Sequence, residues 1–132
     1  MDNRQLIRKY YDMWNHFDFD HADQWLHAKI HFRGSLDITA EGIEEFKEYA
    51  HMLTTAFENL HHSIEIEVYE NNLAAAYVTY SAKHVGELLG YAPTGKHINY
   101  SGAVFFQIRN SKIVSINVLG DLNALHKQLT AS

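Results

Sequence analysis

Leu6, Ile7, Tyr10, Tyr11, Trp14 and Phe17 recur at steps of three and four behind Asp2 and Asn3, either of which suits a helix N-cap. This spacing predicts an amphipathic helix over about residues 3–17. Asp20 then offers a second N-cap, and Ala22, Trp25, Leu26 and Ile30 fit the buried side of a shorter helix, followed by a short strand around Phe32. Thr39 or Ala40 opens a third helix. Its apolar stripe is Ile43, Phe46, Tyr49, Ala50, Leu53 and Phe57, its outer face carries Glu41, Glu44, Glu45 and Lys47, and it is expected to end near Asn59.

Beyond Asn59 the period changes from near four to two. Ile64, Ile66 and Val68 alternate with Glu65, Glu67 and Tyr69, and Asn71-Asn72 supplies residues tolerant of positive φ for a hairpin. Residues 73–86, 97–109 and 112–120 read as three further strands, the last two joined across Asn110-Ser111. Long antiparallel strands twist and bend. Three N-terminal helices on the concave side of such a sheet leave a conical cavity, so the fold class expected is an α+β cone formed by one domain over residues 1–132.

Composition excludes several function classes. The net charge of -5 and the absence of any long Lys/Arg run give no electrostatic footprint for nucleic acid. With no cysteine there are no disulfides, thiolate nucleophiles or zinc ribbons. The N-terminus lacks an apolar signal core and no stretch of 18 apolar residues occurs, so a soluble, cytoplasmic protein without membrane contact is expected. The ten histidines do not fall at metal-ligand spacing. His61 and His62 point to opposite sides of one strand, and His16, His21, His27, His51 and His126 fall at polar helix or loop positions, so no metal is expected.

The alternation also places candidate chemistry. On the strand from residue 73, the even positions Ala74, Ala76, Val78, Tyr80, Ala82 and His84 share one face, taken as the inner one. On the last strand Ile113, Ser115, Asn117, Leu119 and Asp121 share a face in the same way. If both faces line the cone, His84, Asn117 and Asp121 become polar groups in an apolar pocket, as small-molecule sites are commonly built. A carboxyl group there loses water, which disfavours its charged form and suits it to acid/base work. The simpler reading is that Asp121 caps a terminal helix carrying Leu122, Ala124, Leu125 and Leu129, and that His84 is a histidine hydrogen-bonded to backbone near its strand end. Of the aromatics Tyr11, Trp14, Trp25, Phe32, Phe57, Tyr80, Tyr91 and Phe106, a minority should touch ligand. Trp14, Tyr80 and Tyr91 are best placed, with Phe32 and Phe57 as further candidate walls and Tyr91 in a Gly-rich loop suited to a lid.

Several strings carry a family resemblance across almost the whole chain: Trp14-Asn15, Ala56-Phe57-Glu58-Asn59-Leu60, His84-Val85-Gly86 with Gly90 and Pro93-Thr94-Gly95-Lys96, and Lys112-Ile113-Val114 leading to Asp121 and Gln128-Leu129. In order and approximate spacing they resemble the SnoaL-like polyketide cyclases of the nuclear transport factor 2-like (NTF2-like) superfamily. The chain departs from that pattern at Asn117, where the family usually has tryptophan, and at Glu58, where it has proline. The resemblance implies an NTF2-like cone and a cofactor-independent lyase or isomerase. It would close a ring in a small apolar or aromatic carbonyl compound by intramolecular aldol condensation, with Asp121 as the acid/base residue. His84 and Asn117 would position oxygens. A hydrolase or dehydratase using the same aspartate, and a non-enzymatic binder of a small apolar ligand, are the competing expectations. A homodimer is expected through an outer sheet face carrying Tyr77, Ile98, Tyr100 and Phe106.

Overall fold

The computed structural model describes residues 1–131. Helix α1 (Asn3–Asn15) begins with a reciprocal cap in which Asp2 Oδ1 accepts from Gln5 N–H (2.8 Å) and Gln5 Oε1 accepts from Asp2 N–H (2.9 Å). A single 3-10 turn, Ala22–Gln24, leads into strand β1 (Leu26–Arg33) and, after a tight turn, the short β2 (Thr39–Glu41). Helix α2 (Gly42–Ala56) runs directly into β3 (Phe57–Glu70). Then follow β4 (Leu73–His84), β5 (His97–Arg109), β6 (Lys112–Gly120) and helix α3 (Leu122–Thr130). The six strands form one open, curved sheet in the order β2-β1-β6-β5-β4-β3, antiparallel except for the β1–β6 pair. No helix among the described residues is long and apolar enough to cross a membrane.

Three features differ from the sequence expectation. The segment expected as a second helix is mostly strand: Leu26, Ile30 and Phe32 are buried while Lys29 and His31 between them are exposed. A spacing of four fits both a helical turn and two strand repeats, and pairing with β6 and β2 selects the strand. The third helix accordingly lies at the C-terminus, so two rather than three α-helices precede the long strands. Third, Ile98, Tyr100 and Phe106 turn into the core, and the exposed large apolar groups of the outer face include Ile66, Val68, Leu73, Tyr77, Phe105 and Leu119.

The inner sheet face is built in register. Val78 pairs with Gly102 and Gly102 with Gly120, while Tyr80 pairs with Tyr100 and Val104 with Val118. Helices α1 and α2 cover this face with Leu6, Ile7, Tyr10, Trp14, Phe46, Tyr49 and Leu53. Near the sheet ends, backbone groups lacking a strand partner are met by side-chain amides. Asn15 of α1 accepts from His62 N–H (2.7 Å) and donates to His62 C=O (3.0 Å). Where β6 has ended, Gln128 of α3 accepts from Asn99 N–H (2.8 Å) and donates to Asn99 C=O (2.5 Å).

Candidate functional site

The concave face encloses a small cavity of about 20 Å³ between α1, α2 and the sheet, lined by Tyr10, Tyr11, Trp14, Phe32, Ser35, Tyr49, Leu53, His62, Tyr80 and Val118. The α-helical stripes deliver Tyr10, Tyr11 and Trp14 from α1 and Tyr49 from α2. Strand alternation delivers His62 from β3 opposite Tyr80 of β4. Two glycines make room for the phenols: a Cβ on Gly34 would lie 2.4 Å from Tyr49 Oη, and one on Gly102 would lie 2.8 Å from Tyr80 Oη.

The wall is mainly aromatic and aliphatic, with a few polar groups and no charged one. Ser35 Oγ is spent on Tyr100 Oη at 2.9 Å. Trp14 Nε1, Tyr49 Oη and His62 Nδ1 are buried without a hydrogen-bond partner, although buried polar atoms are normally paired. Burial pushes the Tyr49 phenol up to about 12, opposed by the Ser35 and Leu36 dipoles beside it, and raises Tyr10, Tyr11 and Tyr80 as well. Burial, and then the neighbouring His61, lowers the His62 imidazole to about 3. At neutral pH the phenols therefore keep their protons and His62 is neutral.

Of the side chains singled out in the sequence, Tyr11, Trp14, Phe32 and Tyr80 line this cavity. Phe57, His84, Tyr91, Asn117 and Asp121 are placed elsewhere. Phe57 is buried against His84, with ring centroids 6.1 Å apart. His84 is fully buried and anchors the Pro93–Lys96 loop: Thr94 N–H donates to its Nδ1 (3.2 Å), its backbone N–H donates to Lys96 C=O (2.8 Å), and Gly95 N–H returns to its C=O (2.8 Å). The return uses a positive φ of 70° at Gly95. Tyr91 Oη lies 2.7 Å from His126 Nδ1, which ties the Gly-rich loop to α3.

Asn117 is a correction. The register shift between Gln107 and Ile108 opposite β6 changes the alternation, so Ile113, Ile116 and Val118 turn inward while Asn117 pairs with Phe105 on the outer face. Asp121 is exposed, and its Oδ1 accepts from Ala124 N–H (3.1 Å) as the N-cap of α3. The burial on which the acid/base argument depended is absent. Nor are His84 and Asp121 neighbours: Asp121 N–H meets Ser101 C=O, Ser101 faces Thr79, and His84 is five residues further along β4, roughly 17 Å at strand spacing.

His62, Tyr49 and Ser35 were not among the sequence candidates. The one signal for them was the His61-His62 pair, whose opposite orientations leave one ring inside and one outside, as observed. Among the described residues no three His, Asp or Glu side chains gather as a metal ligand set.

The sequence profile of the SnoaL-like polyketide cyclases matches residues 4–129. The chain belongs to that family. The SnoaL-like fold is also that of its structural neighbours. TsrD from Streptomyces laurentii is similar with 25% identity and a TM-score of 0.88, the match covering 100% of this chain and 99% of TsrD. A SnoaL-like polyketide cyclase from Agrobacterium tumefaciens is similar with 18% identity and a TM-score of 0.83, covering 98% and 99% of the two chains. Comparison with curated proteins gives no match. This SnoaL-like domain thus has the NTF2-like cone that its residue strings implied, with its cavity set among aromatic rings.

Proposed function

We propose that this SnoaL-like protein binds a small carbonyl compound at the concave cavity and catalyses its cyclisation or isomerisation through an enol or enolate, without a cofactor. The carrying observation is the set of aromatic and neutral polar side chains closed over one space on the inner face. Such a wall folds an apolar substrate and presents hydrogen-bond donors to its oxygen. Asp121 is the proton carrier in this reading. It follows Gly120, whose backbone rests on Ser35 of the cavity wall, and its exposure keeps it in exchange with water. To reach substrate its carboxylate must release Ala124 N–H. His84 acts as a positioning residue through the loop it anchors.

A second reading, a binding protein without turnover, is favoured by one observation: no carboxylate lines the cavity. The two readings separate by NMR of α-proton exchange in D₂O on a panel of small aryl and cyclic ketones. An enzyme accelerates exchange above buffer and loses the acceleration in Asp121→Asn. Exchange at the buffer rate for every ketone supports the binder.

In the same reading two copies pair through the outer face carrying Leu73, Tyr77, Phe105 and Leu119. Sedimentation of Phe105→Glu against the parent tests this pairing, and an unchanged mass rejects it.

A further inference from the structure

We infer that Trp14 Nε1, Tyr49 Oη and His62 Nδ1 form a three-donor site for a single substrate oxygen, the one that becomes negative when a carbonyl compound enolises. The inference rests on the reading of the cavity as the substrate site. All three side chains are more than nine-tenths buried, at 2%, 5% and 7% exposure, all three residues line one cavity, and their three polar atoms make no hydrogen bond. Three unpaired polar atoms around one space are costly to keep, and an oxygen placed there would satisfy them together.

The dimensions fit this occupant. A space of about 20 Å³ admits one oxygen-sized group. The remaining substrate atoms have a place next door. Tyr11 and His62 also line a cleft of about 170 Å³ between α1 and β3, with Arg8, Asp12, Asn15 and Ile64, so cavity and cleft share a wall formed by these two rings. Turning the Tyr11 ring aside joins the spaces while His62 keeps its place.

The donor chemistry fits as well. Trp14 N–H can only donate. Burial keeps the Tyr49 phenol protonated and the His62 imidazole neutral, with Nδ1 carrying its proton in the productive tautomer. Neutral donors fixed in a dry site gain strength as charge develops on the oxygen. When the α C–H bond breaks, its proton passes to the base and its electron pair becomes the C=C bond. The carbonyl π pair moves to the oxygen held by the three donors.

The probe is p-nitrophenol, whose ionised form absorbs separately from the neutral form and carries its charge on one oxygen. Titrated slightly below neutrality, the parent protein should bind it as the phenolate. Tyr49→Phe and Trp14→Phe should each weaken phenolate binding by roughly 10- to 100-fold, the range for a hydrogen bond to a charged acceptor. Tyr49→Phe should melt close to the parent temperature, because its hydroxyl makes no well-formed hydrogen bond. Equal phenolate binding by parent and Tyr49→Phe, binding of the neutral phenol alone, or a bound water that p-nitrophenol does not displace would each overturn the site. Ketone exchange on the same samples separates this inference from the proposed function. Exchange without phenolate binding rejects the donor site and leaves the enzyme, whereas donor-dependent binding without exchange supports the site and rejects the enzyme.

Discussion

Replacing His62 with Phe should change how stability responds to acid. His62 lies on the cavity wall with its ring near Trp14, Tyr11 and Tyr80 at centroid distances of 5.0, 5.6 and 5.0 Å. Its other titratable neighbours are His61 in sequence and Arg8 and Asp12 across the cleft. The folded imidazole titrates near 3 against an ordinary value of 6.5, because burial opposes its charge. The sign follows from which state takes the proton first. As pH falls below 6.5 the unfolded chain protonates while the folded one does not, so stability present above 6.5 is lost progressively down to about 3. At about pH 4.5, two units below the unfolded value, the loss is about 2.7 kcal/mol at 1.36 kcal/mol per unit. For a domain of this size that is on the order of 10 °C in melting temperature. His62→Phe keeps a ring against Trp14, leaves the backbone bonds to Asn15 in place and removes an Nδ1 that has no partner. Melting curves of both proteins between about pH 7.5 and 4.5 should therefore diverge, the parent falling further. The carboxylates and the other nine histidines are common to both chains and cancel in the difference. Parallel pH profiles would refute the burial argument.

Other perturbations follow from the geometry. Asp121→Ala removes the α3 cap and should cost about 1 kcal/mol by urea unfolding, whereas Asp121→Asn keeps an acceptor and should stay within a few tenths; equal losses would contradict the cap. A Cβ at Gly120 would lie 2.3 Å from Ser35 O and 3.1 Å from Ser35 Cα, so Gly120→Ala must displace backbone at the cavity wall. It should cost about 1–3 kcal/mol and weaken p-nitrophenol binding. Asn15→Ala leaves both backbone groups of His62 without their side-chain partner and should speed amide exchange at His62 by hydrogen-exchange NMR, at a stability cost of about 1–3 kcal/mol.

Much of the cone was legible because long strands impose a simple rule. The even positions Ala74 to His84 all turned out buried, and the bounds expected for β5 and β6 match those observed. The rule fails where one residue is inserted. The register shift between β5 and β6 reverses the faces after Ile113 and moves Asn117 to the other side of the sheet, and nothing in residues 112–120 announces it. The segment at Leu26 to Ile30 failed for a different reason, since its spacing satisfies two periods and only its neighbours decide between them. The cavity was half legible. Trp14 and Tyr80 followed from periodicity, whereas Tyr49 sits in a helical stripe that reads as core. Its unpaired hydroxyl is a property of what surrounds it, and no linear pattern records that.

Gln128 carries a last consequence. An amide is a planar group with one acceptor and one donor side by side, and both are engaged by the N–H and C=O of Asn99. A glutamate in its place would still receive the N–H but would turn a negative oxygen toward the Asn99 carbonyl. A one-turn slide of α3 toward its C-terminus would bring Ala124 to the same spot, which offers neither group. The amide therefore works as a positional key that indexes α3 to one notch on β5. By that notch the helix start at Asp121, and with it the reach of its carboxylate, is fixed relative to the sheet.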